Sequence, residues 1–391
     1  MAAADFATSE LVHRQAAGLA RRLRPIDGAQ EPWVTVDGHR ALLLCSNNYL
    51  GLATHPAVRA AASRAAVEYG AGAGASRLIS GSMRLHETLE EQLAHFKGTE
   101  AALLFNSGYH ANVGAITTLV GAEDVVFSDA LNHASIIDGC RLSRARVCVY
   151  AHNDVEALDD LLRRTPGRRR LVVTESIFSM DGDTAPLAEI CEIAERHGAM
   201  VMIDEAHATG AVGPCGAGVV AAAGVQPRVT LQMGTLGKAL GTFGAFVAGR
   251  RAVIDLLVNT ARSFIYTTAL PPTVVAAASA AVQIVISNPS LQRRLADNAA
   301  RLRRGLQQIG LRLPEQSAHI IPVMIGDAAT TMRMSERLLA EGVFVQGIRP
   351  PTVPPDTGRL RITVMSTHTS DDLSFALSAF RRVFSAESRC R

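Results

Sequence analysis

The sequence predicts an α/β protein built on a mostly parallel sheet, with a smaller α+β region after it. From about residue 46 to residue 285, short apolar runs alternate with helical stretches, and strands buried on both faces are typical of parallel sheets. After about residue 286 the composition changes, because long helical stretches are separated by short apolar runs. A length of 391 residues is too great for one ordinary core and favours more than one domain.

In the alternating region, six apolar runs are predicted to be strands. They are Ala101–Phe105, Asp124–Phe127, Arg146–Tyr150, Arg170–Thr174, Ala199–Ile203 and Val229–Met233. Helices are predicted over Val155–Arg164, Pro186–His197 and the apolar stretch Val274–Ile286, which is too short to cross a bilayer. Because ligands bind at the carboxyl ends of strands in such sheets, the polar residues that follow these strands form the candidate site.

The predicted organisation has three parts. Residues 1–45 form a helix and an extended hairpin around Asp37-Gly38, residues 46–285 form the large α/β domain, and residues 286–391 form a small C-terminal α+β domain. In the last part, helices are predicted over Leu291–Ile309, over Thr330–Glu341 and from Asp371 onward, and strands over Ile320–Ile325, Val343–Gln346 and Leu360–Val364.

Composition excludes several other classes of protein. The formal charge is only +3 and no stretch concentrates it, which argues against a nucleic-acid partner. The six cysteines form no C-x-x-C pair, so we predict neither a metal site nor a disulfide framework; they are Cys45, Cys140, Cys148, Cys191, Cys215 and Cys390. Residues 1–10 lack the apolar stretch of a signal peptide. We therefore expect a cytoplasmic protein with no membrane partner.

Lys238 is the first candidate for chemistry. It follows an apolar segment and lies in the glycine-containing stretch Thr235–Gly241, where the backbone can approach a ligand closely. The stretch is not a Walker A motif, because Gln232 stands where the first glycine is needed and Ala239 follows the lysine. A lysine surrounded by apolar groups has a lowered pKa, which frees its amine to form a Schiff base.

Asp204 is the second candidate, at the carboxyl end of an apolar run. The stretch Asp204–His207 also matches a helicase box, but that class of protein needs a P-loop that this sequence lacks. An acid that caps the next helix is the structural alternative. As a functional residue, a buried aspartate can keep the ring nitrogen of pyridoxal phosphate protonated, which the cofactor requires to act as an electron sink.

Three further segments also follow predicted strands. In Asn106–Asn112 a small-residue turn opens a helix, and free N–H groups at such a turn favour a phosphate dianion. In Ser128–Ser135, His133 could stack on a cofactor ring, although a lone histidine is more often structural. In Thr174–Asp183, Ser179 can donate a hydrogen bond to a phenolate oxygen.

These motifs in this order resemble the α-oxoamine synthases, a family of pyridoxal-phosphate enzymes. The resemblance rests on Ser46–Leu52, Asn132–Ser135, Phe178–Gly182 and Asp204–His207, followed by Lys238, and it extends from about residue 14 to residue 385. It implies a fold-type I pyridoxal-phosphate transferase, with a large, mostly parallel-sheet domain and a smaller α+β C-terminal domain.

The resemblance also implies the roles of the residues around the cofactor. Lys238 forms the Schiff base and later removes the Cα proton of the bound amino acid, and Asp204 holds the proton of the ring nitrogen. His133 stacks over the ring, and His207 and Ser179 lie near its 3-oxygen. The implied phosphate contacts are Gly108, Tyr109 and Thr235, with Thr268 reaching across from a partner subunit.

Substrate contacts are implied in the same way. Arg21 and Thr352 resemble contacts to the acyl substrate, and His133 also faces the substrate. Arg361 resembles the arginine that binds the carboxylate of the amino acid, with help from Asn47, and Arg349 is a second candidate for that carboxylate. Guanidinium groups suit this task because they can bind a carboxylate in a bidentate manner.

The implied reaction is a decarboxylating condensation of an amino acid with an acyl thioester, in a homodimer with shared active sites. The segment Ile348–Pro354 resembles the branch of the family that joins L-alanine to a pimeloyl thioester of CoA or acyl carrier protein in biotin synthesis. The segments Asp129–Gly139 and Gly234–Gly241 instead resemble the branch that uses glycine and a short acyl-CoA. Both substrate pairs stay open, and a fold-type I aminotransferase or aldolase is the alternative from another class.

Overall fold

The computed structural model describes residues 3–315 and 317–388. These residues form two units, one of which comprises the chain up to residue 46, residues 180–182 and the chain from residue 296 onward. The other unit, called the large unit below, comprises residues 47–179 and 183–295. Five cysteines are free thiols, and Cys390 lies outside the described residues.

The N-terminal part of the smaller unit contains one helix and a hairpin. Its elements are α1 (Ala3–Ala16), β1 (Ile26–Asp27), β2 (Trp33–Val36) and β3 (His39–Leu43). β2 and β3 pair in antiparallel fashion around Asp37 and Gly38, both of which have positive φ angles, 51° and 80°. Asp-Gly is a favoured sequence for such two-residue turns, and the structure has the hairpin where the sequence predicts it.

The large unit contains most of the regular elements. Its helices are α2 (Pro56–Tyr69), α3 (Arg84–Lys97), α4 (Gly108–Leu119), α5 (Ala134–Ser143), α6 (Val155–Arg164), α7 (Leu187–Arg196), α8 (Val219–Ala222), α9 (Arg251–Thr260), α10 (Arg262–Ile265) and α11 (Pro272–Ser287). Its strands are β4 (Ala101–Phe105), β5 (Val125–Asp129), β6 (Arg146–Tyr150), β7 (Arg170–Glu175), β8 (Met200–Asp204), β9 (Leu231–Thr235) and β10 (Ala245–Gly249).

The seven strands form one sheet in the order β4-β10-β9-β8-β7-β5-β6. The pairs from β9 to β6 are parallel, whereas β10 is antiparallel to both of its neighbours. Every residue of β5, β9 and β10 is buried, as expected for strands covered on both faces. The predicted α/β class is therefore confirmed. The prediction omitted β10, a five-residue apolar run that follows Gly244 and ends in Gly249.

The described residues from 290 onward form three helices and four strands, and the first of these helices begins in the large unit. They are α12 (Ser290–Gln308), β11 (Ile320–Gly326), α13 (Ala328–Ala340), β12 (Val343–Phe344), β13 (Gln346–Ile348), β14 (Gly358–Thr363) and α14 (Ser370–Ser388). β11, β14 and β13 form an antiparallel sheet, and β12 joins β3 in the sheet β1-β2-β3-β12. The prediction of a single strand over Val343–Gln346 is wrong, because the chain passes from one sheet to the other at Val345.

No single helix in the described part of the chain is long and apolar enough to cross a membrane. Only α11 and α12 taken together meet the criteria of length and composition, and they are bent by 78° relative to each other.

A fully buried ion pair between Lys97 and Glu205 stabilises the large unit. Both side chains are 0% exposed. Lys97, the last residue of α3, donates to the Glu205 carboxylate and, at 2.6 Å, to the carbonyl oxygen of Ala217. Glu205 also accepts the N–H of Val220 at 2.9 Å. The pair therefore ties α3 to the segment that follows β8.

We predict that Lys97→Met lowers the free energy of unfolding by about 3–5 kcal/mol, because it leaves the Glu205 carboxylate buried without a cation. Urea denaturation measures the change. The double variant Lys97→Met/Glu205→Leu is the control, and it should recover most of the loss because it removes both charges. An unchanged unfolding midpoint for the single variant would show that the pair does not stabilise the fold.

Candidate active site

The carboxyl ends of the parallel strands in the large unit lie at one edge of the sheet, and the candidate site is found there. Asp204 is the last residue of β8, and His207 follows it. His133 follows β5, Ser179 follows β7 and Lys238 follows β9. Since these strands are neighbours in parallel register, the sheet brings the segments singled out in the sequence to one place.

Asp204 is held by hydrogen bonds to both oxygens of its carboxylate. The side chain is 3% exposed. Its Oδ2 accepts from Asn112 Nδ2 at 2.8 Å, and its Oδ1 accepts from the N–H of Ala206 at 2.8 Å. Two donors, one on each oxygen, suit a carboxylate anion.

Asn112 also connects Asp204 to His133. Its Nδ2 donates to Ser135 Oγ at 2.9 Å, and Ser135 Oγ lies 2.7 Å from His133 Nδ1. The N–H of Ser135 donates to the same nitrogen at 3.2 Å. Because Nδ1 accepts, the proton of the neutral imidazole is on Nε2.

His133 remains exposed to solvent on one side. Desolvation by the surrounding protein lowers the pKa of His133; the charge of Asp204 raises this pKa and the charge of Lys238 lowers it. These influences indicate that the three groups lie near one another and that the imidazole is neutral at physiological pH.

Lys238 begins a second chain of hydrogen bonds. Its Nζ lies 2.8 Å from His207 Nε2, and His207 Nδ1 lies 2.7 Å from the hydroxyl oxygen of Tyr49. Tyr49 donates to Asn47 Oδ1 at 2.9 Å, so its oxygen acts as the acceptor for His207 Nδ1–H. His207 Nε2 is then the acceptor that faces the lysine amine.

Only two lysines occur in the whole sequence, Lys97 and Lys238. Lys97 is fully buried in its ion pair with Glu205. Lys238 is half-buried at the strand edge, beside the site. Lys238 is therefore the lysine side chain that is available for covalent chemistry.

The loop that carries Lys238 is fixed by a close backbone contact. Gly241 has a φ of +64°, and a Cβ at this position would lie 2.3 Å from the backbone nitrogen of Ala53. Only glycine fits such a position. At the start of the loop, Thr235 Oγ1 donates to Gly244 O at 3.1 Å and accepts from Gly237 N–H at 3.2 Å.

The predicted phosphate segment lies at the start of α4. Ser107 caps the helix by accepting from the N–H of His110 at 3.3 Å, and Gly108 and Tyr109 occupy the first turn, where N–H groups have no acceptor within the helix. The Tyr109 hydroxyl donates to Asp138 at 2.8 Å. Thr268 is exposed, and its carbonyl oxygen accepts from Asn106 at 2.9 Å. The contact of Thr268 with the cofactor phosphate of a partner subunit stays a prediction.

Ser179 and Glu175 lie beside Asp204 at the end of β7. Ser179 is 8% exposed, and its N–H donates to Glu175 Oε2 at 3.1 Å. Glu175 is the register neighbour of Asp204. Burial, followed by the negative charge of Asp204, raises the pKa of Glu175 well above its ordinary value.

The predicted acyl contacts lie in the smaller unit. Arg21 Nη2 donates to Thr352 Oγ1 at 3.2 Å, and both residues line a cleft of about 1250 Å³ together with Arg349. Arg349 donates to the carbonyl oxygens of Gly18 and Ala20 at 2.9 and 2.5 Å. Arg361 is not a lining residue of this cleft; it lies in β14, is 7% exposed and pairs with Pro322 and Gln346 in register.

The residues of the large unit fit pyridoxal phosphate. They provide an amine at Lys238, a buried carboxylate at Asp204, an exposed imidazole at His133 and open N–H groups at Gly108 and Tyr109. When it is bound, the cofactor supplies an electron sink for negative charge on a substrate carbon.

Sequence reasoning assigned no role to Asn112, Tyr49, Ser135 or Glu175. Asn112 is 0% exposed, whereas the other buried residues of α4 are glycine or apolar. A lone polar residue on such a helix face is a signal that the sequence offered. Glu175 follows an apolar strand just as Asp204 does, so the same criterion would have found it. The lysine count was also available from the sequence alone.

Comparison with known proteins identifies the family of the chain. The sequence matches the family model for aminotransferase class I and II over residues 40–380. It is 53% identical over 377 residues to the 8-amino-7-oxononanoate synthase of Geobacter sulfurreducens, with 96% of each chain covered. It is 54% identical over 370 residues to the enzyme of the same name from Trichlorobacter lovleyi, with 94% of each chain covered.

Solved structures are similar as well. A serine palmitoyltransferase from S. paucimobilis with a bound PLP–myriocin aldimine has a TM-score of 0.93 and 35% identity, covering 98% of this chain and 97% of its own. An 8-amino-7-oxononanoate synthase from Francisella tularensis has a TM-score of 0.77 and 27% identity, covering 89% and 99%. The chain therefore belongs to the α-oxoamine synthases, acyltransferases that depend on pyridoxal phosphate and share the fold of the class I and II aminotransferases.

Proposed function

We propose that this chain condenses L-alanine with a pimeloyl thioester, carried by CoA or acyl carrier protein, to give 8-amino-7-oxononanoate, CO₂ and the free thiol for biotin synthesis. The observation that carries the proposal is the identity of 53% over 96% of a relative named 8-amino-7-oxononanoate synthase. The cleft of the smaller unit supports it, because its charges suit an acyl chain that ends in a carboxylate.

Two guanidinium groups that line this cleft, those of Arg21 and Arg349, are not paired with its carboxylates, since Asp37 and Glu336 pair with Arg22 and Arg24. Neither Arg21 nor Arg349 forms an ion pair with a carboxylate among residues 3–315 and 317–388. Desolvation lowers the pKa of Arg349, and the charge of Arg21 lowers it further. A carboxylate placed between them would relieve this repulsion and accept charge-assisted hydrogen bonds, with Thr352 beside it. An acetyl group has no such carboxylate.

The remaining roles follow the family resemblance. Lys238 binds the cofactor covalently and then takes the Cα proton of alanine, while Asp204 holds the proton on the ring nitrogen. Arg361 binds the carboxylate of the amino acid, with Asn47 assisting, and the exposed imidazole of His133 lies against the ring. His207 and Ser179 lie near the 3-oxygen of the cofactor, and His207 Nε2 accepts a hydrogen bond from the lysine amine across 2.8 Å.

We also propose that the enzyme is a homodimer with shared active sites. Three large apolar side chains near Thr268 are exposed: Leu78 by 51%, Ile79 by 81% and Tyr266 by 71%. The segment of Leu78 and Ile79 follows Ser76, which is bridged to Thr268. A second copy of the chain would cover this surface and place Thr268 at the partner's cofactor phosphate.

The thioester preference tests the proposed reaction. We expect kcat/KM to be highest for pimeloyl thioester with L-alanine, and Arg21→Ala should lower it roughly 10–100-fold by removing a charged hydrogen bond to the chain end. With acetyl thioester the same substitution should have little effect. Arg14→Ala, which removes an exposed arginine paired with Glu10, is the matched control.

The measurement is CO₂ release from four substrate pairs, in which each thioester is combined with alanine and with glycine. A preference for acetyl thioester with glycine would move the chain to the glycine branch of the family. No CO₂ with any of the four pairs would favour an aminotransferase or aldolase. An equal loss with both thioesters would show that Arg21 does not bind the end of the acyl chain.

Shared active sites can be tested with hybrid dimers of Lys238→Ala and Thr268→Ala subunits. Each homodimer should be inactive or nearly so, whereas each hybrid dimer should contain one site with both residues intact and recover activity. Subunit exchange is verified by native mass spectrometry of differently tagged subunits. Verified hybrids without recovered activity would mean that Thr268 serves its own subunit.

A further inference from the structure

Glu175 is a buried acid to which the proposed chemistry gives no role. It is 2% exposed at the end of β7, and its Cα is the register neighbour of the Cα of Asp204 in β8. Two carboxyl groups this close in a buried site cannot both ionise without strong repulsion. The hydrogen bonds of the pair indicate which of them carries the charge.

The two acids differ in how many of their oxygens are satisfied. Both oxygens of Asp204 accept hydrogen bonds, from Asn112 and from the N–H of Ala206. Oε2 of Glu175 accepts from the N–H of Ser179 at 3.1 Å, whereas Oε1 is buried without any partner in the described part of the chain. A buried carboxylate oxygen without a donor is costly, but the same oxygen can carry a proton.

Glu175 also lies between two loops of the site. Its carboxyl group accepts from the backbone N–H of Ser179 at 3.1 Å. The N–H of Glu175 itself donates to Asn132 Oδ1 at 3.2 Å, and Asn132 Nδ2 donates to Val173 O at 2.8 Å. The side chain of Glu175 therefore anchors the loop that carries Ser179, and its backbone N–H anchors the loop that carries His133.

We propose that Glu175 is an un-ionised carboxylic acid that positions the Ser179 loop and leaves the negative charge of the buried pair on Asp204. Glu175 is a positioning residue, because it acts through this loop and through Asp204. The proposal depends on the proposed function only for the ligand that Asp204 faces, since the charge state of Glu175 is a property of the protein without substrate.

The charged groups around Glu175 agree with this assignment. Burial is the largest influence and raises the pKa of Glu175, Asp204 on β8 raises it further, and Lys238 after β9 lowers it. His133, before α5, is neutral because burial lowers the pKa of its imidazole. The net result is a pKa well above the ordinary value of 4.5.

Infrared difference spectroscopy on the protein without substrate tests the charge state directly. Subtracting the spectrum of Glu175→Gln from that of the wild type at neutral pH should leave the C=O band of a carboxylic acid. Glu205→Gln is the matched control, because Glu205 is equally buried but paired with Lys97, and its difference spectrum should show the bands of an ionised carboxylate. Carboxylate bands for Glu175 would overturn the proposal.

The pH dependence of the free energy of unfolding is an independent test of the charge state of Glu175. Above pH 4.5 the unfolded chain has lost the Glu175 proton that the folded protein keeps, so wild-type stability falls relative to Glu175→Gln as pH rises. The ratio of the two unfolding constants should change by up to about tenfold per pH unit between about pH 5 and the folded pKa. A ratio that does not change with pH would contradict the proposal.

The positioning role is tested by the affinity for pyridoxal phosphate. Glu175→Ala removes the acceptor for the N–H of Ser179 and should weaken binding roughly tenfold or more. Glu175→Gln keeps a carbonyl acceptor at the same place and should restore most of that affinity. Equal weakening in both variants would mean that the acid is needed in its ionised form, against the proposal.

Discussion

Two consecutive buried acids at the end of β8, Asp204 and Glu205, are the constraint on which the rest of the large unit depends. They are 3% and 0% exposed. A carboxylate buried without partners costs several kcal/mol, so each acid must be satisfied by the surrounding fold. Glu205 is satisfied by Lys97 and by the N–H of Val220, and Asp204 by Asn112 and the N–H of Ala206.

The partners of Glu205 stabilise the fold, whereas the partners of Asp204 belong to the site. Lys97 and the N–H of Val220 both donate to Glu205, and these bonds fix α3 against the segment that carries α8. Asp204 belongs to the site, because its partner Asn112 continues through Ser135 to His133. Since the chain has only two lysines, the structural use of Lys97 leaves Lys238 as the side chain that can bind an aldehyde. The covalent chemistry and the stability of the large unit are thus linked through neighbouring residues.

Much of the fold and the centre of the site could be predicted from the sequence. The strands were found because apolar runs alternate with helices, and Asp204 and Lys238 because they follow such runs. The prediction missed β10, a five-residue apolar run that follows Gly244 and ends in Gly249, and the sequence pattern could not reveal the change of sheet at Val345. It also could not reveal the partners of Asp204. A single asparagine in a helix or a tyrosine in a loop acquires its role only when the chain folds and another residue comes within hydrogen-bond distance, as Asn112 does with Asp204 and Tyr49 with His207.

Borohydride reduction of the protein loaded with pyridoxal phosphate tests most directly whether Lys238 holds the cofactor beside Asp204. Reduction makes the link permanent, and peptide mapping by mass spectrometry then locates it. We predict that the label lies on the peptide that contains Lys238, that the peptide with Lys97 is unlabelled, and that Lys238→Ala abolishes the label. A label on Lys97, or a stable label in the Lys238→Ala variant, would contradict the account.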